Sequence, residues 1–375
     1  MSHSPPSTAA TLARSAAGTG HVPTRTTWAP SLRDAFDHRA NGLSLMRLAL
    51  AVVVAISHGL ENGFGWQPSV NGTQIGVLAV DGFFVISGYL MVSSWNRLAD
   101  VRRYAWHRAL RIAPAFWLCL VVTALVIAPV AAMLSERPPL SVFTAASEPA
   151  WRYVTVNAAL QINQFGIAGL GGPHSDGVIN GSLWTLFYEA LCYFAVAALG
   201  LLGLLRRRTW LVAAATLALW VGLVASAAGL VTLPADNLPH LLFVFMLGAL
   251  AALYAHRLPM HPLLALGAGL LTLVAMLTLE DYRTVGAVGF AYVCLWLMTV
   301  IRRPQLSWDL SYGTYIWHWP IQVLLVLLGA TALGPVGFTT LSIVIALGVA
   351  ALSWRFVERP ALAFKSARWV SPRKG

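Results

Sequence analysis

Four ionisable side chains lie inside long apolar segments of this sequence, where they could carry out proton-transfer chemistry. They are Arg47, His58, Asp81 and Glu189. A charged side chain at membrane depth costs at least ~2.5 to 3.5 kcal/mol on insertion scales, so each is a candidate functional residue unless it has a structural partner. An imidazole can take a proton from a hydroxyl group near neutral pH. We therefore predict that His58 is a general base.

The two carboxylates are the predicted partners of His58. Counted along their apolar segments, Asp81 and Glu189 lie on the order of 10 Å below the outer membrane surface, at a depth comparable to that of His58. One carboxylate would accept a hydrogen bond from one imidazole nitrogen and fix the tautomer, which leaves the other nitrogen free to act. The competing interpretation is structural, because a buried carboxylate also pairs with an arginine or a hydroxyl group, and a lone intramembrane histidine is often a packing residue.

Arginine residues surround the predicted entrance to this site. Arg47 precedes His58 by eleven positions, which places both on one helical face roughly 16 Å apart. A basic segment follows the second apolar run and contains Arg97, Arg102, Arg103, Arg108 and Arg111. This charge is sufficient to hold a polyphosphorylated ligand. Membrane orientation and attraction to anionic lipid are the alternative explanation.

Ten apolar segments must position these side chains. The chain has 375 residues, 58% of them hydrophobic and 10% charged, with a mean hydropathy of +0.69, which excludes an ordinary soluble enzyme. Its net charge of +11 does not indicate a nucleic-acid partner, because the basic residues lie between the apolar segments. We predict an all-α polytopic membrane protein with about ten transmembrane helices. The predicted spans are 43–59, 75–94, 109–131, 182–204, 209–231, 238–255, 262–279, 284–301, 311–330 and 338–357.

The distribution of positive charge predicts that both termini lie in the cytoplasm. With the N-terminus inside, all Lys and Arg residues except Arg137, Arg152 and Arg283 fall on the cytoplasmic side, as the positive-inside rule expects. Two terminal segments are predicted as cytoplasmic tails, a disordered one at 1–36 and a basic one at 361–375. The long outer connection, residues 132–181, either caps a cavity or is a passive cover.

Other polar residues receive a structural interpretation. His318, between Trp317 and Trp319 and before Pro320, is predicted to mark a bend packed by aromatic side chains. Ser87 lies beside a glycine in the second span and is interpreted as a close-packing residue. The sequence contains no paired cysteine or histidine spacing typical of a metal site, so none is predicted.

Several segments, taken in order, resemble the acyltransferase 3 family of integral membrane acyltransferases over nearly all of residues 41–364. Arg47 and His58 are similar to the family's motif of Arg, ten residues and His. The other matching segments are Val80–Met91, the Arg108 to Pro114 stretch, Ser182–Phe194 with Glu189, Leu310–Ile321 and Phe356–Ala361. The resemblance assigns residues 37–360 to the acyltransferase 3 membrane domain.

The resemblance implies an O-acyltransferase of the cell membrane. Its donor substrate would be a cytoplasmic acyl-CoA, usually acetyl-CoA, and its acceptor a hydroxyl of a surface glycan, a lipid-linked sugar or a glycosylated small molecule. Membrane lipid would surround the chain, no cofactor would be bound permanently, and no nucleic acid would take part. His58 would deprotonate the acceptor or briefly carry the acyl group, with Glu189 and Asp81 orienting it. The donor would be held by Arg47, Arg102, Arg103, Arg108 and Arg111.

A second function class fits the same residues. In a secondary transporter, His58, Asp81 and Glu189 would form a proton-coupled substrate site. A third interpretation is a carrier that hands the acyl group to a separate outer enzyme. The sequence leaves acceptor identity, acyl chain length and oligomeric state open, since apolar surfaces that face lipid and those that face a partner have the same composition.

Overall fold

The protein is mostly helical in its computed structural model, which describes residues 28–98, 100–233, 237–303 and 308–366. Two short strands, β1 (Ser69–Val70) and β2 (Thr73–Gln74), form an antiparallel hairpin. The α-helices, in chain order, are α1 (Leu32–Ala35), α2 (Leu43–Phe64), α3 (Ile75–Leu98), α4 (Val101–Val122), α5 (Ala128–Leu134), α6 (Ser141–Thr144), α7 (Ala150–Asn157), α8 (Thr185–Leu201), α9 (Thr209–Ala227), α10 (Leu238–Leu253), α11 (Pro262–Thr278), α12 (Gly286–Val300), α13 (Ser311–Leu327), α14 (Gly334–Ser353) and α15 (Arg359–Ala363).

The helical class of the prediction is confirmed, and each of the ten apolar segments contains a helix. One π-helical turn, Thr123–Ile127, joins α4 to α5, and another, Trp354–Glu358, joins α14 to α15. Within the described residues, five helical stretches are long and apolar enough to cross a membrane by length and composition. They are Leu43–Phe64, Ile75–Leu98, Val101–Leu134, Thr209–Ala227 and Ala330–Ser366. Ten crossings and cytoplasmic termini stay predictions.

The described part of the predicted N-terminal tail is ordered. Residues 1–27 lie outside the described residues, but residues 28–36 include α1. The backbone N–H of Leu32 donates to the carbonyl oxygen of Leu258 at 2.7 Å, and the side chains of Leu32 and Phe36 are buried. The prediction of disorder is therefore wrong for residues 28–36, because two apolar side chains dock this polar segment against the loop after α10.

The predicted basic tail at 361–375 is helical as far as Ser366, and residues 367–375 lie outside the described residues. The Trp106 indole N–H on α4 donates to the carbonyl oxygen of Phe364 at 2.9 Å. This contact attaches the segment after α15 to the first turns of α4.

Two helix contacts organise the core around the candidate site. Gly88 of α3 packs directly on the backbone of α10 at Phe245, and Gly248 of α10 packs on the backbone of α3 at Val85. Such close approach between membrane helices requires residues without a large side chain. The second contact joins α13 to α2 and α14, and most of α13 is buried. Polar residues on α13 must therefore find partners inside the protein.

Candidate active site

Three polar contacts join α2 to α13 and the residues just before it, and we name them the polar ladder. Arg47 Nη1 lies 2.8 Å from Asp309 Oδ2, His58 Nδ1 lies 2.9 Å from His318 Nε2, and Asn62 Nδ2 donates to Gln322 Oε1 at 3.1 Å. On α2 the members are separated by eleven and four positions, about three turns and one turn, so all of them share one face.

The middle contact of the polar ladder determines the tautomers of two histidines. His318 Nδ1 lies 3.1 Å from the carbonyl oxygen of Thr314, and a carbonyl only accepts, so this nitrogen carries the hydrogen. With both rings neutral, His318 Nε2 accepts a hydrogen bond from His58 Nδ1. The lone pair of His58 Nε2 is then available to take a proton, which is the arrangement that a general base needs.

Aromatic packing and the long outer connection enclose this histidine pair. The two rings stack with an interplanar angle of 12°, and the Trp319 ring lies 4.7 Å from His58 between centroids. His318 is fully buried, whereas His58 is partly exposed. The Trp319 indole N–H donates to the carbonyl oxygen of Val178 at 3.4 Å, and the same ring packs on Gly181. The segment before α8 therefore covers α13 next to the pair.

Asp81 does not contact His58, in contrast to the predicted arrangement. Its fully buried carboxylate accepts from Arg283 Nε at 2.7 Å, from Arg283 Nη2 at 2.9 Å and from the Tyr282 hydroxyl at 2.6 Å. Unpaired, such a carboxylate would be costly to bury. Asp81 therefore has the structural role that the sequence left open, because the turn before α12 brings Arg283 to its carboxylate.

Glu189 also lies away from His58. Its Oε1 accepts from the Ser87 hydroxyl at 3.0 Å and from the Tyr193 hydroxyl, and it lines the same cavity as Arg47. Within the described residues, no hydrogen bond joins Glu189 to His58, and their common depth stays a prediction. Asn180, before α8, already reaches the carbonyl oxygen of Ile316 inside the bundle at 3.0 Å.

A narrow cavity of about 50 Å³ lies beside Arg47 between α3, α8 and α13, and neither His58 nor His318 lines it. Glu189 and Ser87 lie on its wall. On the same wall, the hydroxyls of Tyr315 and Thr185 are hydrogen-bonded at 2.6 Å. The Tyr315 ring lies 6.1 Å from the His318 ring between centroids. Tyr315 therefore separates the cavity from the histidine pair.

Two of the five predicted donor-binding arginines share one carboxylate. Arg111 Nη2 lies 2.6 Å from Asp309 Oδ2, the atom that Arg47 also contacts, and Arg111 Nη1 lies 3.7 Å from Glu358 Oε2. Burial alone would raise the pKa of Asp309, but the guanidinium groups of Arg111 and Arg47 hold it well below its usual range. Asp309 is therefore ionised at neutral pH and neutralises part of this cluster.

The other three predicted arginines form no ion pair within the described residues. The side chain of Arg102 is exposed and that of Arg103 is partly exposed, both in the first turn of α4. Arg108 turns toward α3 instead, where its Nη1 lies 3.4 Å from the sulfur of Met91. The structure therefore separates the five arginines into three environments.

Sequence reasoning missed His318 and Asp309 as members of the site. The signal that could have identified the face of α13 is the spacing of Ser311, Tyr315, His318 and Gln322, which recur every three or four positions along the helix. In the described part of the chain, no group of three or more His, Cys, Asp or Glu side chains could hold a metal ion.

Comparisons with known proteins agree with the sequence motifs. A family model described as an acyltransferase domain matches residues 41–355. The chain is 28% identical to nodulation protein 10 of Rhizobium leguminosarum bv. viciae over 383 residues, which covers 90% of this chain and 97% of that protein. It is 26% identical to an O-acetyl transferase of Shigella phage Sf6 over 351 residues, which covers 88% of this chain and 98% of that protein. No solved structure matches the chain.

Proposed function

We propose that this chain, which belongs to the acyltransferase 3 family and is an O-acyltransferase, moves an acetyl group from cytoplasmic acetyl-CoA to a carbohydrate hydroxyl. The acceptor would be a surface glycan, a lipid-linked sugar or a glycosylated small molecule, and the enzyme would lie in the plasma membrane. The observation that supports this proposal most strongly is the contact between His58 and His318 at 2.9 Å, because it leaves one imidazole nitrogen of His58 ready to accept a proton.

In the proposed reaction, His58 Nε2 accepts the proton of the acceptor hydroxyl while that oxygen attacks the thioester carbonyl carbon. A carbon–oxygen bond forms, the carbon–sulfur bond breaks, and the coenzyme A thiolate leaves. The protonated imidazole then returns its proton to the leaving sulfur, so His58 is restored. In the alternative route, His58 Nε2 itself attacks the thioester carbonyl, the coenzyme A thiolate leaves, and the acceptor oxygen then displaces the imidazole from the acetyl carbon while its proton passes to the thiolate. The two routes differ in whether a covalent acetyl-His58 intermediate forms.

The donor is proposed to enter at the end of the narrow cavity where Arg47 lies. Arg102 and Arg103 would hold the phosphates of coenzyme A, since neither is engaged in an ion pair within the described residues. Arg47 would line the path to His58, and Arg111 would hold Asp309 in place. This assignment narrows the predicted set of five arginines according to what each side chain already contacts.

Donor kinetics test this assignment. Replacing both Arg102 and Arg103 by Glu should raise the KM for acetyl-CoA by about tenfold or more, because charge-assisted hydrogen bonds to phosphate contribute about 1.5 to 3 kcal/mol each. The matched control is Arg207→Glu, an exposed arginine of the loop between α8 and α9. Purified enzyme in liposomes, supplied with labelled acetyl-CoA and an oligosaccharide acceptor, gives the measurement.

The assignment fails if the double variant keeps the wild-type KM, or if Arg207→Glu raises it equally. Acceptor dependence is read in the same assay. Consumption of acetyl-CoA that proceeds equally without any acceptor would favour an acyl-group carrier over a transferase.

A further inference from the structure

Ser87 on α3 directs its hydroxyl group across to α8 and not back to its own helix. The hydroxyl donates to Glu189 Oε1 at 3.0 Å, and within the described residues no backbone carbonyl accepts from it. Serine and threonine inside helices commonly donate to the carbonyl four positions earlier, as Thr216 does to Val212 at 2.8 Å. The close contact with the α10 backbone is made by the neighbouring Gly88. Packing against α10 therefore does not account for the Ser87 hydroxyl.

Glu189 is a carboxylate without a cationic partner among the described residues. The carboxylates of Asp81 and Asp309 pair with arginines at 2.6 to 2.8 Å, whereas Glu189 forms no ion pair in the described part of the chain. Its Oε1 also accepts from the hydroxyl of Tyr193, one turn further along α8, which orients the carboxylate toward Ser87. A nucleophile, a base within hydrogen-bond reach and a third group that orients the base form the arrangement typical of nucleophilic catalysis.

Both groups face the narrow cavity. Ser87 and Glu189 line it and are partly exposed, so a ligand in the cavity contacts them. The cavity measures about 50 Å³. A water molecule needs about 10–15 Å³ of such space, so there is room for a group of about four heavy atoms, which is the size of an acetyl thioester head. Arg47 lines the same cavity and adds a positive charge that stabilises the oxyanion formed during acyl transfer.

We propose that Ser87 is a covalent catalytic residue, which takes the acetyl group from acetyl-CoA before the acceptor does. Glu189 removes the Ser87 proton as Oγ attacks the thioester carbonyl carbon, the carbon–sulfur bond breaks, and Glu189 returns the proton to the leaving thiolate. The product is an oxygen ester on Ser87. The inference rests on the proposed function and inserts one covalent step ahead of the step that uses His58.

The second step transfers the acetyl group from Ser87 to the acceptor. The acceptor oxygen attacks the ester carbonyl carbon while His58 Nε2 takes its proton. The bond from Ser87 Oγ to that carbon breaks, and the proton then passes from His58 to Ser87 Oγ. The Tyr315 ring lies between the cavity and the histidine pair, with its hydroxyl bonded to that of Thr185 at 2.6 Å. This ring therefore has to turn aside before the second step.

Trapping of the acetylated protein tests this proposal. The purified full chain is incubated with labelled acetyl-CoA without acceptor, quenched in acid and digested, and mass spectrometry locates the acetyl group. Wild type and His58→Ala should both carry it on the peptide that contains Ser87, because the first step does not use His58. Ser87→Ala should carry none. Glu189→Gln should acquire the label about 100-fold more slowly, because the general base is lost.

Controls distinguish this ester from other acetylated species. Ser342→Ala should be labelled as wild type is, because the Ser342 hydroxyl donates to the Thr339 carbonyl on its own helix at 2.9 Å. The wild-type label should resist neutral hydroxylamine, as an oxygen ester does, whereas an acetyl-imidazole on His58 would be removed by it. Ser87→Cys should acquire a label that neutral hydroxylamine removes, since a thioester then forms. This variant keeps the proposal testable if Ser87→Ala does not fold.

Three results overturn the proposal. The first is acetyl transfer to an oligosaccharide acceptor by Ser87→Ala at the wild-type rate. The second is a label on a residue other than Ser87. The third is the absence of any label in both wild type and His58→Ala while wild type still acetylates the acceptor, which would leave the proposed function intact with direct transfer. If wild type acetylates neither itself nor the acceptor, the proposed function fails together with this inference.

Discussion

At the scale of single residues, the chemistry depends on which nitrogen of His58 carries hydrogen. The carbonyl oxygen of Thr314 fixes the His318 tautomer, and His318 in turn fixes that of His58. Asp81 takes no part in this chain of contacts, because Arg283 and Tyr282 occupy its carboxylate. His318 is therefore a positioning residue in our proposal, while His58 meets the reacting hydroxyl.

Substitution of His318 distinguishes a role in orienting His58 from a role in packing the helices. His318→Leu should lower kcat about 100-fold or more while the KM for acetyl-CoA changes little, because losing the correct tautomer removes most of the benefit of a general base. His318→Gln should retain clearly more activity, since the amide oxygen of glutamine can accept from His58 Nδ1. Steady-state acetyl transfer by each purified variant gives both constants.

Equal loss of activity in the Leu and Gln variants, with equally lowered thermal stability, would show that His318 only packs the bundle. Wild-type kcat in His318→Leu would also contradict the positioning role.

At the scale of helices, the close crossing of α3 and α10 holds one wall of the narrow cavity. Gly88 is adjacent to Ser87, which donates to Glu189 on that wall. Any side chain at Gly88 would meet the α10 backbone, which cannot move as a flexible side chain can. The position of α3 beside α8 therefore depends on Gly88, a residue without a side chain that takes no part in the reaction.

A valine at this crossing should destabilise the fold. Gly88→Val should lower the Tm by about 1 to 4 °C, because overpacking costs about 1 to 3 kcal/mol and each kcal/mol shifts the Tm of a chain of this size by roughly 1 °C. Gly267→Val is the control, since Gly267 lies within α11 and a side chain there meets no atom within 4 Å. Thermal unfolding of detergent-purified variants measures the difference. Similar Tm values for the two variants would mean that the helices can separate without loss.

The helices were predictable from sequence, but their neighbours were not. Apolar length located all ten segments, because a chain in hydrocarbon must satisfy its backbone internally. His58 and His318 are 260 positions apart, and periodicity on one helix does not reveal which other helix it meets. The partners of Glu189 were equally hidden, because Ser87 lies on another helix 102 positions away.

At the scale of the whole molecule, the polar ladder runs between two different ends of the bundle. At one end Asp309 joins Arg47 and Arg111 beside the arginine-rich start of α4. At the other end the long outer connection returns to α2, where His174 packs on Gly65. This arrangement underlies our proposal that the donor arrives from the basic end and the acceptor from the opposite end.

Cysteine labelling tests the predicted orientation. Glu280→Cys, in the turn between α11 and α12, should react with a membrane-impermeant maleimide in intact cells. Arg207→Cys, in the basic loop between α8 and α9, should react only after permeabilisation, as the positive-inside rule expects. Both positions are exposed, and the three native cysteines are buried, so background labelling should be low. The reverse pattern would invert the topology and the direction of donor entry.

The most direct measurement of the central proposal is mass spectrometry of acyl groups on surface glycans and secreted glycosides. Four cell lines are compared: cells without the protein, and cells that express wild type, His58→Ala or His256→Ala at equal membrane abundance. His256→Ala is the control, because His256 is an exposed histidine after α10. We expect a base-labile acetyl group with wild type and His256→Ala, and its loss with His58→Ala because the general base is gone. Acylation by His58→Ala at the wild-type level would contradict the proposed mechanism.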